Sequence, residues 1–174
     1  KLHISTILYA LGLSKKKIIK TFYSTSQYSF DTDNKQWITN FNPENFKRPI
    51  KLPFDLIDAK NNKKVLSKGE KLNFIIAKKL QDKNLKEILI SNEELRGKYL
   101  AKDIFDKSKE LICSAGTDLN DEILEKISSN EINKLEIVNI DPINKGPYIL
   151  ETLKVDKNRS KADALNDIYK VLRP

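Results

Sequence analysis

Apolar and polar positions follow the same order twice in the middle of the chain, once from Asp55 and once from Asp103. The stretches are DLIDAKNNKKVLSKGEKLNFIIAKKL and DIFDKSKELICSAGTDLNDEILEKI. Each begins with a short β-type run, a polar turn and a second short run. A Gly, an Asn and apolar residues at helical spacing follow. Two short runs around a turn favour a hairpin, and Asn before an apolar helical pattern is typical of an N-cap. Each stretch therefore predicts two strands, a helix capped by Asn73 or Asn120, and a further strand.

The two stretches keep their positions aligned apart from a one-residue gap in the turn. A chance likeness drifts, whereas a duplicated unit keeps its apolar, turn and cap positions in register. The matched pairs are Gly69 and Gly116, Leu72 and Leu119, Asn73 and Asn120, Ile76 and Ile123, Leu80 and Ile127, Leu85 and Ile132, Ile88 and Leu135, and Ile90 and Ile137. We predict a tandem duplication of small β-β-α-β modules, over 54–98 and 99–140. The alternative is two unrelated β-α pieces that use the same common capping residues.

The segment before the modules, 1–53, predicts two helices and a β-hairpin. Its second helix follows Ser14, a preferred capping residue, and its apolar positions recur on one face: Ile18, Ile19 and Phe22. The stretch QYSFDTDNKQWITNF alternates on both sides of a polar turn, as in a hairpin. Its aromatic side chains are predicted to lie in the hairpin core rather than to stack on bases: Phe30, Trp37 and Phe41.

The segment after the modules, 141–174, predicts a C-terminal helix. Ser160 and Asp163 resemble a capping box at its start. The apolar residues that follow form one predicted stripe: Ala164, Leu165, Ile168, Val171 and Leu172. The predicted fold class is therefore α+β, with helical and hairpin segments flanking the two modules.

Length and composition favour a cytoplasmic protein with one or two hydrophobic cores. Among the 174 residues no stretch is long and apolar enough to cross a bilayer, and the first residues do not read as an export signal. Cys113 is the only cysteine, so no internal disulfide forms, and its apolar neighbours favour a buried thiol. The chain has no methionine and both ends interrupt a pattern, so we expect a fragment of a longer protein.

The net charge of +8 is unevenly distributed. Residues 1–53 carry nine basic and three acidic side chains, 54–140 carry sixteen of each, and 141–174 carry seven and five. Within the middle region the first module has eleven basic against seven acidic residues and the second has five against nine. The flanks therefore hold the whole excess, although the strong preference for Lys also indicates a compositional bias.

The residues that usually carry chemistry are scarce. His3 is the only histidine, so zinc sites made of His and Cys and Cys-His nucleophilic pairs are effectively excluded. The glycines are scattered singly, and neither common phosphate-binding glycine pattern occurs. The acidic pairs fit turns better than acid-base catalysis: Asp55 with Asp58, Asp103 with Asp106, and Glu93 with Glu94. We predict no metal site, no catalytic residue and no cofactor on this chain.

Basic residues near the C-terminus are the candidate contacts for phosphate. The loop LKVDKNRS concentrates Lys154, Lys157 and Arg159, and Arg173 follows the last helix. The run Lys15 to Lys17 raises the same question at the start of the second helix. Charge alone leaves two interpretations open in each case, a phosphate contact or a solvated basic surface.

Three stretches together resemble the β subunit of bacterial multisubunit RNA polymerase. They are KLHISTILYALGL, FDLIDA before a Gly and a helix start, and KGPYILETLKVDKNRSKADALNDIYKVLRP, of which the last is the most specific. The resemblance covers essentially the whole chain. It departs from the family where His3 follows KL in place of an expected Pro, and in the divergent region 31–50.

That resemblance implies a place in the second lobe of the subunit, which forms one wall of the main cleft beside downstream DNA. The two modules would then be a lineage-dependent insertion that docks regulators. The implied partners are β′, α, ω and σ, together with DNA, and the catalytic Mg²⁺ would lie on β′. Arg173 and Lys1 are the implied first DNA contacts, beside Lys154, Lys157 and Arg159.

The predicted function is thus a non-catalytic part of a DNA-directed RNA polymerase, a nucleotidyltransferase of transcription, in the cytoplasm at the nucleoid. The main alternative is a free-standing basic module that binds RNA or ribosomes. A small enzyme in its own right is disfavoured by the missing His, Cys and Gly constellations.

Overall fold

The structure is a computed structural model that describes residues 1–140 and 146–173. Lys145 and Pro174, which belong to the family-like KGPYI and VLRP phrases, lie outside the described residues. The α-helices in the described part are α1 (Ile4–Ala10), α2 (Lys15–Phe22), α3 (Phe74–Asp82), α4 (Asn92–Leu95), α5 (Asp121–Ser129), α6 (Tyr148–Val155) and α7 (Lys161–Leu172). The strands are β1 (Thr25–Asp31), β2 (Gln36–Asn40), β3 (Ile50–Lys51), β4 (Leu56–Ile57), β5 (Lys64–Leu66), β6 (Lys71–Leu72), β7 (Glu87–Ile90), β8 (Ile104–Phe105), β9 (Leu111–Cys113) and β10 (Lys134–Val138). The mixed α+β class is confirmed.

Both aligned stretches begin with the predicted hairpin. Strands β4 and β5 pair antiparallel with an irregularity between Leu56 and Ile57, and β8 and β9 pair antiparallel with one between Ile104 and Phe105. Each hairpin is followed by a helix and a further strand, α3 and β7 in the first stretch and α5 and β10 in the second. The first stretch also contains β6, which pairs with β3 and was not predicted.

The helix caps in the two stretches have the same geometry. Asn73 accepts the N–H of Ile76 at 2.9 Å through its side-chain oxygen, and Asn120 accepts the N–H of Ile123 at 2.9 Å. These bonds satisfy amide groups that a helix start leaves without an intrahelical partner. Both caps are therefore confirmed.

The paired aspartates act in turns, as predicted. Asp55 accepts the N–H of Lys68 at 2.7 Å, and Asp103 accepts the N–H of Ala115 at 2.6 Å. The second aspartate of each pair accepts a backbone N–H two residues further on: Lys60 to Asp58 and Ser108 to Asp106. A carboxylate that holds backbone N–H groups fixes the ends of a hairpin.

The chain divides into two compact units, and neither is a continuous stretch. The first unit comprises 1–25, 97–119 and 136–174, and the second comprises 26–96 and 120–135. The hairpin of the second aligned stretch thus belongs to the first unit, whereas its helix α5 belongs to the second.

The core of the first unit is formed mainly by helices. Helix α1 packs against α7, and α6 packs against both α1 and α2. Its buried residues are Tyr9, Ile18, Ile19, Tyr23, Ala101, Ala115, Val138, Leu150, Leu153 and Ala164. Cys113 is also buried, as its apolar neighbours indicated.

Two predicted apolar faces are less buried than their spacing indicates. In the stripe of α7 only Ala164 is buried, while Leu165, Val171 and Leu172 are 49%, 54% and 74% exposed. Phe22, predicted to face inward from α2, is 38% exposed. Periodicity shows which residues share one face of a helix. How much of that face is buried depends on how far the neighbouring element extends along it.

The second unit contains β2, β7 and nearly all of β1, which lie side by side in the order β1-β2-β7. Strand β2 pairs antiparallel with β1 and with β7. Trp37 is buried, its ring meets Phe30 edge-on with 5.0 Å between centroids, and its indole N–H donates to Asn92 at 3.0 Å. Phe41 is buried as well, so the predicted aromatic hairpin core is confirmed.

Candidate nucleic-acid interface

The first unit carries most of the net positive charge of the chain. It holds sixteen basic and ten acidic residues, a net charge of +6, whereas the second unit holds sixteen and fourteen, a net charge of +2. All five basic residues singled out from the sequence belong to the first unit. Because contacts to phosphate depend on Lys and Arg, this unit is the candidate interface.

The loop between α6 and α7 is anchored by the buried carboxylate of Asp156, which is 1% exposed. The hydroxyls of Ser5 and Thr6 in α1 donate to one of its oxygens, with 3.0 Å for Thr6. The backbone N–H and the side-chain amide of Asn158 donate to the other, both at 2.9 Å. The loop is thereby fixed on α1.

The protonation of Asp156 follows from these bonds. Burial by itself raises the pKa of a carboxyl group, because it disfavours the charged form. The hydrogen bonds from Ser5, Asn158 and Thr6 outweigh burial and hold the pKa of Asp156 below its usual value. The anchor is therefore ionised at neutral pH, and Asn158 extends it to Asp167 of α7 through a 3.0 Å bond.

Arg159 is held in place by this loop. One terminal nitrogen of its guanidinium donates to the carbonyl oxygens of Asp156 and, at 2.9 Å, of Asn158. Its backbone N–H donates to Asp163 at 3.2 Å, and Asp163 in turn donates its N–H to the Ser160 hydroxyl at 3.2 Å. The N-cap predicted at Ser160 is confirmed, while Asp163 accepts from Arg159 rather than from Ser160 itself.

Lys154 is surrounded by acidic groups. Its Nζ lies 2.5 Å from Asp118 and 3.8 Å from Glu151, and 5.6 Å from the ring centre of Tyr99. The bond to Asp118 raises the pKa of Lys154 and lowers that of Asp118, although the partial loss of contact with water opposes both shifts. Tyr99 donates to Glu151 at 2.5 Å, and this bond, with burial, raises the pKa of Tyr99 to about 12. Most of the charge of Lys154 is thus matched locally.

The other three candidates are exposed and make no ion pair within the described residues: Lys1, Lys157 and Arg173. The guanidinium of Arg173 lies 5.9 Å from the ring centre of Tyr169. The structure brings Lys157 and Arg159 into one loop, next to the α6 residue Lys154. It shows no bond that joins Lys1 to the others in the described part of the chain.

Two residues have surroundings that the sequence did not indicate. Lys15, for which the sequence left a phosphate contact and a solvated basic surface open, is half-buried, and its Cε lies 3.3 Å from where a Cβ on Gly116 would stand. Tyr9 is buried, and its hydroxyl has no hydrogen-bond partner in the part of the chain that the structure describes. The only indication in the sequence that Lys15 has special surroundings was its place directly after the capping Ser14, which puts it at a helix start.

Neither a metal centre nor a membrane helix is found in the described part of the chain. Within 1–140 and 146–173, no three His, Cys, Asp or Glu side chains converge in a way that could hold a metal ion. No helix among these residues has the length and apolar character needed to span a membrane.

Comparison with known proteins identifies the class as subunits of nucleic-acid polymerases. No family model matches the chain. Proteins named DNA-directed RNA polymerase subunit beta match it from end to end: 37% identity in Caulobacter sp. (strain K31) over 100% of the chain, 37% in Rhizobium leguminosarum bv. trifolii (strain WSM2304) over 100%, and 41% in Ehrlichia canis (strain Jake) over 99%. The chain spans 12–13% of the length of these relatives.

The chain is therefore homologous, over its whole length, to one segment of the β subunit of DNA-directed RNA polymerase. The resemblance read from the sequence is confirmed.

Proposed function

We propose that this chain is a lobe segment of a bacterial RNA polymerase β subunit and shapes the cleft that holds downstream DNA. The observation that carries the proposal is the identity of 36–41% to β subunits across the whole chain. Nucleotidyl transfer belongs to the assembled enzyme with β′, α, ω and σ, in the cytoplasm at the nucleoid. We place its Mg²⁺ on β′, as the resemblance to the family implies.

The proposed DNA contacts are ranked by whether each cation already has an acidic partner in the protein. Arg173, Lys1 and Lys157 are exposed and make no ion pair in the described residues, so they offer full charges to phosphate. Arg159 is pre-positioned by its loop, whereas Lys154 must give up Asp118 to reach DNA. We therefore expect Arg173, Lys1 and Lys157 to contribute most and Lys154 least. Phosphate contacts of this kind position DNA and leave the chemical step to the catalytic subunit.

The two aligned stretches are proposed to be duplicated modules that dock transcription regulators. Their caps, turn aspartates and positive-φ glycines correspond one to one: Gly69 with Gly116 at φ +89° and +82°. On the second hairpin Phe105 and Leu111 are cross-strand partners, 50% and 55% exposed. Exposed apolar pairs of this kind are common in protein interfaces. Crosslinking from position 105 in the assembled polymerase tests the assignment, and crosslinks only to core subunits would contradict it.

The DNA assignment is tested by a salt titration of DNA binding to the 174-residue chain. Removing one phosphate-binding side chain lowers the slope of log K against log salt by roughly 0.9. We expect Arg173→Ala and Lys1→Ala to lower the slope by about that amount each. The matched control is Lys64→Ala, which removes an exposed lysine from the second unit. Equal effects of all three substitutions would show that the chain binds DNA through net charge alone. Stronger binding to ribosomes than to DNA would instead favour the alternative of a free-standing module.

A further inference from the structure

A small pocket opens on the surface of the second unit, away from the residues considered for DNA. All of its lining residues lie within 26–96, so it is formed by one compact unit. Its volume is about 140 Å³, well below the roughly 300–1,000 Å³ of pockets that hold cofactors or drug-sized ligands. The pocket therefore has room for one side chain of a partner rather than for a nucleotide.

The base of the pocket is apolar. Leu89 of β7 is 5% exposed, and the half-buried side chains of Phe54 and Ile57 line the pocket with it. The pairing of β2 with β7 fixes Leu89 there, since Leu89 lies opposite Ile38 in the ladder. An apolar base of this kind suits the methylene groups of a long side chain.

Two carboxylates line the same pocket. Asp55 is exposed, which places it toward the mouth, and one of its oxygens accepts the N–H of Lys68 at 2.7 Å. Glu94 accepts the N–H of Ser91 at 2.9 Å in the capping box of α4, and both of these residues line the pocket. These backbone bonds hold the carboxylates in place. A carboxylate accepts up to about four hydrogen bonds, so a bond to the backbone does not prevent one to a ligand.

An apolar base below two carboxylates is complementary to a cation on an aliphatic stem. Lysine and arginine bury their methylene groups on apolar surface and keep the charged end among polar groups. We propose that the pocket binds a lysine or arginine side chain of a partner protein, with the stem on Leu89 and the charged end at Asp55 and Glu94. The inference rests on the proposed function only for the identity of the partner, a protein that meets the polymerase.

The second aligned stretch lacks the apolar base of this pocket. With the offsets that align the two stretches, Lys102 takes the position of Phe54 and Glu136 takes the position of Leu89. Charged side chains at these two positions do not offer an apolar surface to a methylene stem. The pocket is thus a feature of the first stretch, and it gives the two stretches different partners.

The test is an NMR titration of the 174-residue chain, in which the backbone amides of Gln36, Ile57, Leu89 and Ser91 report on the pocket. The probes are N-acetyl-lysine methylamide and N-acetyl-arginine methylamide. N-acetyl-norleucine methylamide is the control probe, because it has an aliphatic stem without the ammonium group. We expect the two cationic probes to shift these amides and the norleucine probe to leave them unchanged.

Two substitutions remove the charges and keep the local hydrogen bonds. Asp55→Asn retains an oxygen for the N–H of Lys68, and Glu94→Gln retains the capping box, which accepts either residue. Each should weaken binding of the cationic probes by about 3- to 10-fold without lowering the melting temperature. The matched controls are Glu93→Gln, an exposed neighbour in α4, and Asp82→Asn, at the exposed end of α3.

The outcomes separate this pocket from the wider function. Binding that requires the cationic group and falls in Asp55→Asn and Glu94→Gln, but not in the control variants, supports the site, and the tighter of the two probes identifies the side chain. Equal binding of the norleucine probe would overturn the assignment to a cation. If no probe shifts the pocket amides, or if the control variants lose as much binding, the site is refuted. Docking of regulators by the second hairpin is judged separately, by crosslinking from position 105.

Discussion

Replacing Asp156 by Asn tests whether one buried carboxylate fixes the α6–α7 loop on α1. The substitution keeps the size of the side chain but removes the charge that four donors share. It also replaces one carboxylate oxygen, an acceptor, by an NH₂ group, a donor. This donor then faces either the hydroxyls of Ser5 and Thr6 or the N–H groups of Asn158. The variant therefore has at least one mismatched pair in a site that is 1% exposed.

The expected loss is about 2–3 kcal/mol in the free energy of unfolding. A hydrogen bond to a charged group contributes about 1.5–3 kcal/mol net, and a hydroxyl that rotates to accept from the new amide recovers part of that contribution. Against a typical total of about 5–15 kcal/mol, such a loss is readily measured by urea denaturation.

Acidification provides a second readout with a definite sign. The pKa of Asp156 is lowered in the folded protein, so the folded state favours the carboxylate. This contribution is present above the unfolded value of about 3.9 and is lost as the pH falls through the lower folded value. The difference in stability between the original chain and Asp156→Asn should therefore shrink on acidification below about pH 4.

The control is Asp33→Asn, which changes an exposed aspartate in the turn between β1 and β2. It should cost less than about 0.5 kcal/mol, as surface substitutions usually do. If Asp156→Asn costs as little stability as the control does, and its difference in stability from the original chain does not change with pH, the role assigned to this carboxylate is refuted.

Three further substitutions test local features. Glu151→Gln should lower the pKa of Tyr99 from about 12 toward 10, because a charged acceptor is removed, and ultraviolet titration against the unaltered chain measures the change. Asn73→Ala and Asn120→Ala should each cost about 1 kcal/mol in urea denaturation, and a loss at only one of them would contradict the equivalence of the two caps. Gly116→Ala should cost about 1–2 kcal/mol, since its φ is +82° and the new Cβ crowds Lys15, and unchanged stability would show that the turn relaxes freely.

Local chemistry could be predicted from the sequence because its partners are near neighbours in the chain. The bond from Ile76 to Asn73 spans three residues, and so does the bond from Ile123 to Asn120. A residue type and a spacing are sufficient for such features, as they are for the hairpins. The family was also readable from the sequence, and the match to β subunits along the whole chain confirms it.

Exposure and charge pairing depended on segments that are far apart in the chain. Lys154 looked like a free cation, but folding brings Asp118 to 2.5 Å from it. Leu172 continued an apolar stripe, yet it is 74% exposed because burial depends on what packs against it. The sequence did not indicate Tyr9 for the same reason, because the lack of a hydrogen-bond partner for its hydroxyl among the described residues depends on how the core packs around it.

The sequence by itself determined the hairpins, the helix caps and turn aspartates of the two aligned stretches, the α+β class and the relationship to polymerase β subunits. Only the tertiary structure decided that the second hairpin and its helix α5 fall into different compact units. It alone also showed that Asp156 is buried and that Asp118 lies 2.5 Å from Lys154. Caps and turns arise from hydrogen bonds within a few residues, whereas burial and charge pairing arise from contacts that form only when distant segments pack together.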